Sequence, residues 1–274
     1  MRWRLSIRHI TGFTYAGTAH ASYNEARMTP LSVPQQATLR SAVEISPSVP
    51  TWRYTDYWET QVTAFDLQRG HDHLRVTATS LVETGLAPHT SNGSTSDGHA
   101  ELLASTPLTA VSPELVGKAA QAVGMLGRAD PSDRAVAVAD WVRENVAYVP
   151  GSTGVRTNAQ EAWALRQGVC QDIAHLTVGL LRAMGIPARY VSGYLYPLKE
   201  ANVGDTVQGQ SHAWVEYFDS GWHGHDPTNG IPADHRHVLV ARGRDYADVP
   251  PLKGVYNGAP SSHPGVTVEI TRLA

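Results

Sequence analysis

Three side chains from distant parts of the chain, Cys170, His212 and Asp226, are of the types that perform acyl transfer. A thiolate nucleophile, an imidazole that holds and returns its proton, and a carboxylate that orients the ring can together cleave an amide or ester through a thioester. Cys170 is the single cysteine, which excludes an internal disulfide and argues against a thiolate metal cluster. A lone intracellular cysteine is more often buried and inert, so the reactive interpretation depends on its neighbours.

The segment around Cys170 predicts the start of a helix. Gly168 and Val169 precede a run whose apolar positions follow helical spacing, namely Ile173, Thr177, Leu180, Leu181 and Met184. The unpaired amides and the positive dipole end at a helix N-terminus stabilise a thiolate and can bind an oxyanion. Position alone therefore allows Cys170 to be a nucleophile.

The other two side chains fall on a predicted β-hairpin. Two strands, 211–218 and 222–226, flank the loop 219–221, in which Gly221 is the expected left-handed residue. Pairing the ends of the strands directly across this loop places His212 and Asp226 on one face, as diagonal neighbours roughly 7 Å apart. An imidazole–carboxylate hydrogen bond is then within reach.

The remaining histidines fit the role of base less well. His223 and His225 alternate onto the opposite face of the hairpin, and His175 lies about 140° around the helix from Cys170. Three His-x-His pairs could suggest zinc, but no third ligand accompanies any of them, so we interpret them as surface or turn histidines and predict no metal. They are His71 with His73, His223 with His225, and His235 with His237.

The elements that must position these side chains indicate an α+β protein. Short alternating strands with turn residues fill the first ninety residues and predict an antiparallel β-sandwich. The polar stretch 88–98 is typical of a linker, helix-start signals follow at Ser112, Asp130 and Thr157, and strands resume after residue 187. We expect a β-rich domain at 1–105, the core at 106–250, and a C-terminal strand segment at 251–274 that joins a sheet of the N-terminal domain.

The core resembles the transglutaminase-like superfamily of papain-fold thiol enzymes. The resemblance lies in four blocks in family order, residues 168–176, 185–194, 211–216 and 224–229, and the N-terminal strands are similar to the β-rich domain of bacterial members. It implies a helix bundle carrying Cys170 packed on an antiparallel sheet, with Cys170 as nucleophile, His212 as base and then acid, and Asp226 as the orienting carboxylate. His225 stands where relatives usually carry an aromatic residue.

Other site residues are expected around these three. Ala164 stands where papain-type enzymes have the oxyanion glutamine, so Tyr148 is the candidate second oxyanion donor, with a packing tyrosine as the alternative. A supporting or groove-lining role is predicted for four residues of the same blocks: Gln171, Asp172, Tyr194 and Trp214.

We therefore expect a cofactor-independent thiol enzyme acting on peptide or protein amides, and we favour a cysteine protease or amidase. The alternatives are a protein-glutamine transglutaminase, which would use an amine acceptor, and a non-catalytic binding module with this fold. A net charge of −3 and the lack of a long apolar run argue against nucleic-acid and membrane partners. The single cysteine and the lack of a signal-peptide pattern suggest the cytoplasm.

Overall fold

The computed structural model describes residues 1–87, 90–91, 99–124, 130–209, 211–263 and 265–274, so most of the predicted linker 88–98 lies outside the described residues. The helices are α1 (Pro113–Gly124), α2 (Pro131–Asn145), α3 (Ala159–Leu165) and α4 (Cys170–Ala183), with short 3₁₀ turns at Ala100–Leu102 and Tyr246–Asp248. Within the described ranges, no helix is both long and apolar enough to span a bilayer.

Among the described residues, six strands precede these helices, two short ones lie between them, and the rest follow α4. In chain order they are β1 (Trp3–Ala26), β2 (Gln36–Ser46), β3 (Thr51–Thr55), β4 (Gln61–Leu67), β5 (His71–Thr84), β6 (Thr90–Ser91), β7 (Ala147–Tyr148), β8 (Gln167–Gly168), β9 (Ala188–Leu195), β10 (Thr206–Gly209), β11 (Ser211–Phe218), β12 (Trp222–Asp226), β13 (Ile231–Pro232), β14 (His237–Gly243), β15 (Leu252–Gly258), β16 (Ser261–Ser262) and β17 (Thr267–Arg272).

The N-terminal region is one curled antiparallel sheet built along the 24-residue strand β1. The first half of β1 pairs with β5 and β17, whereas its second half pairs with β4 and β15. Because one continuous strand runs through both halves, the predicted antiparallel strands form a single curled sheet and not two separate sheets. Apolar side chains of β4 and β5, including Phe65 and Leu74, meet in its core. The C-terminal strand β17 joins this sheet.

The second region is a helix layer packed on the antiparallel sheet β13-β12-β11-β9-β14. Helix α4 is central, and its residues from Gln171 to Arg182 are all buried. Trp3, Leu5 and Ile7 of β1 belong to the same apolar cluster as α4. The α+β class is confirmed, and the shared cluster holds the β-rich region firmly against the helices.

Local sequence signals explain the helix ends. The Asp130 side chain accepts the Asp133 N–H at the start of α2, and Asn158 and Glu161 form a capping box at the start of α3. Helix α3 ends at Leu165, where Arg166 adopts a left-handed conformation with φ 56°. Gly185, at φ 78°, follows the end of α4.

Candidate functional site

Cys170 is the first residue of α4, as the sequence predicts. Asp172 holds the preceding turn because its Oδ2 accepts the Val169 N–H at 2.8 Å and the Thr153 hydroxyl. As the first helical residue, Cys170 has an N–H without an intrahelical acceptor. The short parallel pair β7–β8 sets Tyr148 opposite Gly168, so the phenol lies beside the start of the helix.

The hairpin that carries the other two side chains has the predicted register. Phe218 pairs with Trp222, and Val215 pairs with His225, so the pairing runs directly across the loop 219–221. The expectation that Gly221 is the left-handed residue is wrong, because Ser220 has the positive φ, 56°. A small polar residue tolerates this conformation, and the register is unaffected.

The structure brings Cys170, His212 and Asp226 together. His212 Nε2 donates to Asp226 Oδ2 at 2.7 Å, and Cys170 and His212 line the same cleft. Burial disfavours the charged imidazole, but hydrogen bonds and charge interactions with Asp226 and Cys170 outweigh it and raise the pKa of His212 to about 10. Burial would raise the pKa of Asp226, yet hydrogen bonds from His212 and His237 hold it well below the usual range. A protonated imidazole beside a carboxylate and a thiol is the resulting arrangement.

Asp226 has two further side-chain donors that the sequence analysis did not predict. Asn229 Nδ2 lies 2.7 Å from Asp226 Oδ2, and His237 Nε2 lies 3.2 Å from the same oxygen. Asp226 begins an Asx turn, in which its Oδ1 accepts the Thr228 N–H two residues further on, and Asn229 follows in the same turn; an Asp at the start of a turn is a signal that the local sequence contains. His237 comes from β14, and no local pattern links it to Asp226.

The interpretation of the His-x-His residues as surface or turn histidines is wrong for three of them. His71, His225 and His237 are buried. His212, Asp226 and His237 have ligand atoms within 4.8 Å of one another, which is close enough for a metal ion. Both Nε2 atoms, however, point at one carboxylate oxygen, where each can donate its proton, so we assign this group as a hydrogen-bond network.

A cleft of about 510 Å³ opens beside Cys170 and His212. The core contributes Tyr148 and Gln171 to its wall, and the N-terminal sheet contributes His9, Thr11 and Phe13. None of the described residues that line the cleft is Asp, Glu, Lys or Arg. The β-rich region therefore forms part of the site and gives it an uncharged wall.

The other predicted residues lie at different distances from the thiol. Gln171 lines the cleft, whereas Trp214 is buried behind it with its indole stacked on His212, ring centroids 6.3 Å apart. The hydroxyl of Tyr194 is 3.0 Å from His9 Nδ1 and links β9 to β1. His175 is fully buried, and its Nε2 accepts the Tyr246 N–H, so it has no access to the cleft.

Known proteins provide an independent comparison. The model of the transglutaminase-like superfamily matches residues 119–227, and that of the bacterial transglutaminase-like N-terminal region matches residues 5–83. An uncharacterized protein of Mycobacterium leprae is 44% identical over 281 residues, covering 99% of this chain and 100% of that one. A protein-glutamine gamma-glutamyltransferase of Pseudomonas aeruginosa is 34% identical over 124 residues, which are 40% of this chain and 18% of the relative.

A solved structure from Cytophaga hutchinsonii, provisionally assigned as a cysteine protease, has the same fold. It superimposes with a TM-score of 0.80 at 23% identity and covers 100% of this chain and 92% of that one. The match to the transglutaminase-like superfamily spans Cys170, His212 and Asp226. The chain belongs to the transglutaminase-like superfamily.

Proposed function

We propose that this protein is a cysteine-dependent acyl-transfer enzyme that hydrolyses peptide or protein amides through a thioester at Cys170. The observation that carries the proposal is one imidazole, His212, that is hydrogen-bonded to the buried carboxylate of Asp226 and lines the same open cleft as the single thiol. The high pKa of His212 supports a resting state in which the proton lies on the imidazole and the sulfur is a thiolate.

The reaction would proceed in two transfers. The Cys170 sulfur attacks the amide carbonyl and forms a C–S bond; the C–N bond then breaks, and the leaving amine takes the proton from His212. Water next attacks the thioester carbonyl and gives a proton to His212, after which the C–S bond breaks and the acid leaves. Asp226 would keep the ring oriented in both transfers.

The tetrahedral intermediates need donors for their oxyanion. The Cys170 N–H at the start of α4 supplies one by its position. We propose the Tyr148 hydroxyl as the second, because Tyr148 lines the cleft, and burial together with the charge of Cys170 raises its pKa. The raised pKa keeps the phenol protonated and able to donate.

The lining of the cleft supports an uncharged acyl group as substrate. Apart from the Cys170–His212 pair itself, the described lining offers no charged side chain, so a charged substrate group would lose its water without gaining a partner of its own, which is unfavourable. The polar atoms of Gln171, Thr11 and Ser192 could bind a neutral polar group, and Phe13 and Val155 offer apolar contact.

Alkylation by iodoacetamide at pH 6 tests the activated thiol, since Cys170 is the single site that can react as a thiolate. We expect the wild-type protein to react faster than a free thiol and His212→Ala to react at least tenfold more slowly. His223→Ala is the matched control, because His223 lies on the same hairpin but donates to the Asp219 carbonyl. Wild-type labelling no faster than free cysteine would favour the binding module.

Incubation with casein and a fluorescent amine tests the reaction. We expect the wild-type protein to cut casein into unlabelled fragments and Cys170→Ala to produce none. The circular dichroism spectrum of Cys170→Ala should match that of the wild type. A relative that matches over 18% of its own length is named a protein-glutamine gamma-glutamyltransferase, so transamidation is the second candidate. Labelled, intact casein would support it and contradict hydrolysis.

A further inference from the structure

A second buried histidine contacts the carboxylate of the proposed catalytic group. His237 begins β14 and is fully buried, and its Nε2 lies 3.2 Å from Asp226 Oδ2, the oxygen that also accepts from His212. Its ring packs edge-on against Trp214 at 5.2 Å between centroids. The proposed reaction does not need this imidazole for any proton transfer.

Two groups of Asp234 face His237 Nδ1. The Asp234 N–H donates to Nδ1 at 3.1 Å, and the Asp234 carboxylate lies 3.3 Å from the same nitrogen. In a neutral ring, the N–H favours the tautomer that is protonated at Nε2; in a charged ring both nitrogens carry protons, and Nδ1 donates to the carboxylate. In both forms the Nε2 proton faces Asp226.

The carboxylate of Asp226 is held by donors from three parts of the chain. Oδ1 accepts the N–H groups of Thr228 and Asn229, and Oδ2 accepts from His212, His237 and the Asn229 amide. With both oxygens occupied, the carboxylate can neither rotate nor readily take a proton. His212 is then held with Nε2 toward Asp226, which leaves Nδ1 to face the thiol.

We propose that His237 is a positioning residue, which donates from Nε2 to Asp226 and so fixes the carboxylate that orients His212. This inference rests on the proposed function, because it concerns the same thiol–imidazole pair. Acting through Asp226, His237 touches neither the substrate nor the reacting atoms. By sharing Oδ2 it also limits how strongly Asp226 attracts the proton of His212.

The charged and titratable groups around His237 determine the expected pH effect. Asp226 faces Nε2 of His237, and Asp234 faces Nδ1. Arg236 forms an ion pair with Asp234. The rings of His212 and His225 lie nearby. Removing the His237 donor leaves Asp226 with one hydrogen bond fewer to stabilise its charge. The proton of His212 should then be held more tightly, and its release should require a higher pH.

The test compares His237→Leu with His237→Gln, whose amide nitrogen can take the place of Nε2. We expect His237→Leu to lower kcat on casein about 10- to 100-fold with KM changed less than twofold, and His237→Gln to recover kcat to within about fivefold of wild type. His235→Gln is the matched control, because the His235 ring packs on Trp3 and does not contact Asp226.

The rate of Cys170 alkylation against pH gives a second readout that needs no substrate. In His237→Leu, the midpoint of this pH profile should shift by at least half a pH unit from the wild-type value. In His237→Gln, the midpoint should return to the wild-type value. A folded His237→Leu with wild-type kcat and midpoint would overturn the inference, as would equal losses in the two variants. If the wild-type protein did not cleave casein but the variants showed the predicted alkylation shifts, the proposed hydrolysis would be refuted and the role of His237 would be supported.

Discussion

Two histidines close to Cys170 in the fold, His175 fully buried and His212 partly buried, have opposite acid–base properties. His175, on α4 itself, accepts a backbone N–H, and burial followed by the charge of Arg182 lowers its pKa to about 3. Burial also disfavours the charged form of His212, on β11, yet Asp226 and Cys170 raise its pKa to about 10. Burial alone therefore does not determine the charge of an imidazole.

The difference lies in what the neighbouring elements bring to the ring. A backbone amide offers only a donor, so His175 must stay neutral to accept it. A carboxylate offers a negative acceptor, so His212 gains by being charged. The charge of the neighbouring group thus distinguishes the proposed catalytic histidine, which the number and spacing of the thirteen histidines do not.

Asp226→Asn should make the surroundings of His212 resemble those of His175. An amide keeps a hydrogen bond to the ring but removes the negative charge, so His212 should become mainly neutral at pH 7. We expect kcat/KM on casein to fall about 10²-fold, less than in Cys170→Ala, since the imidazole is misoriented and not absent. A wild-type rate in this variant would contradict the role assigned to Asp226.

His175→Leu should affect stability more than catalysis. The variant leaves the Tyr246 N–H without its acceptor in the interior, and an unsatisfied buried donor lowers the free energy of unfolding by about 1–3 kcal/mol. Urea denaturation would measure this change, with His223→Leu as a control expected to change it by less than about 0.5 kcal/mol. Loss of activity as large as in Asp226→Asn would mean that His175 takes part in the chemistry.

The dependence of the free energy of unfolding on pH below 6.5 should show whether His175 is neutral in the folded protein. The unfolded chain binds a proton at this histidine below about pH 6.5, whereas the folded protein resists it until about pH 3. Its contribution to stability is thus present above pH 6.5 and is lost as the pH falls toward 3. Between pH 6 and 4, the free energy of unfolding of His175→Leu should fall less steeply than that of wild type, by about 1.4 kcal/mol per pH unit. Equal slopes would contradict a neutral His175.

The local sequence predicted the fold elements near the site well. The helix start at Cys170 follows from the Gly168–Val169 break and the apolar spacing of α4, and the facing of His212 and Asp226 follows from a short loop between two alternating strands. Turn details were less predictable: the left-handed residue is Ser220 because loop geometry depends on both strands as well as on glycine preference.

By itself, the sequence determined the chemical types at the site, the order of the helices and strands, and the parity of the hairpin, because each depends on residues close together in the chain. The tertiary structure alone decided that β1 lines the cleft, that His237 donates to Asp226, and that His175 is neutral while His212 is charged. These properties arise from groups brought together by packing, and the electrostatic environment of a buried ring depends on neighbours that no local spacing encodes.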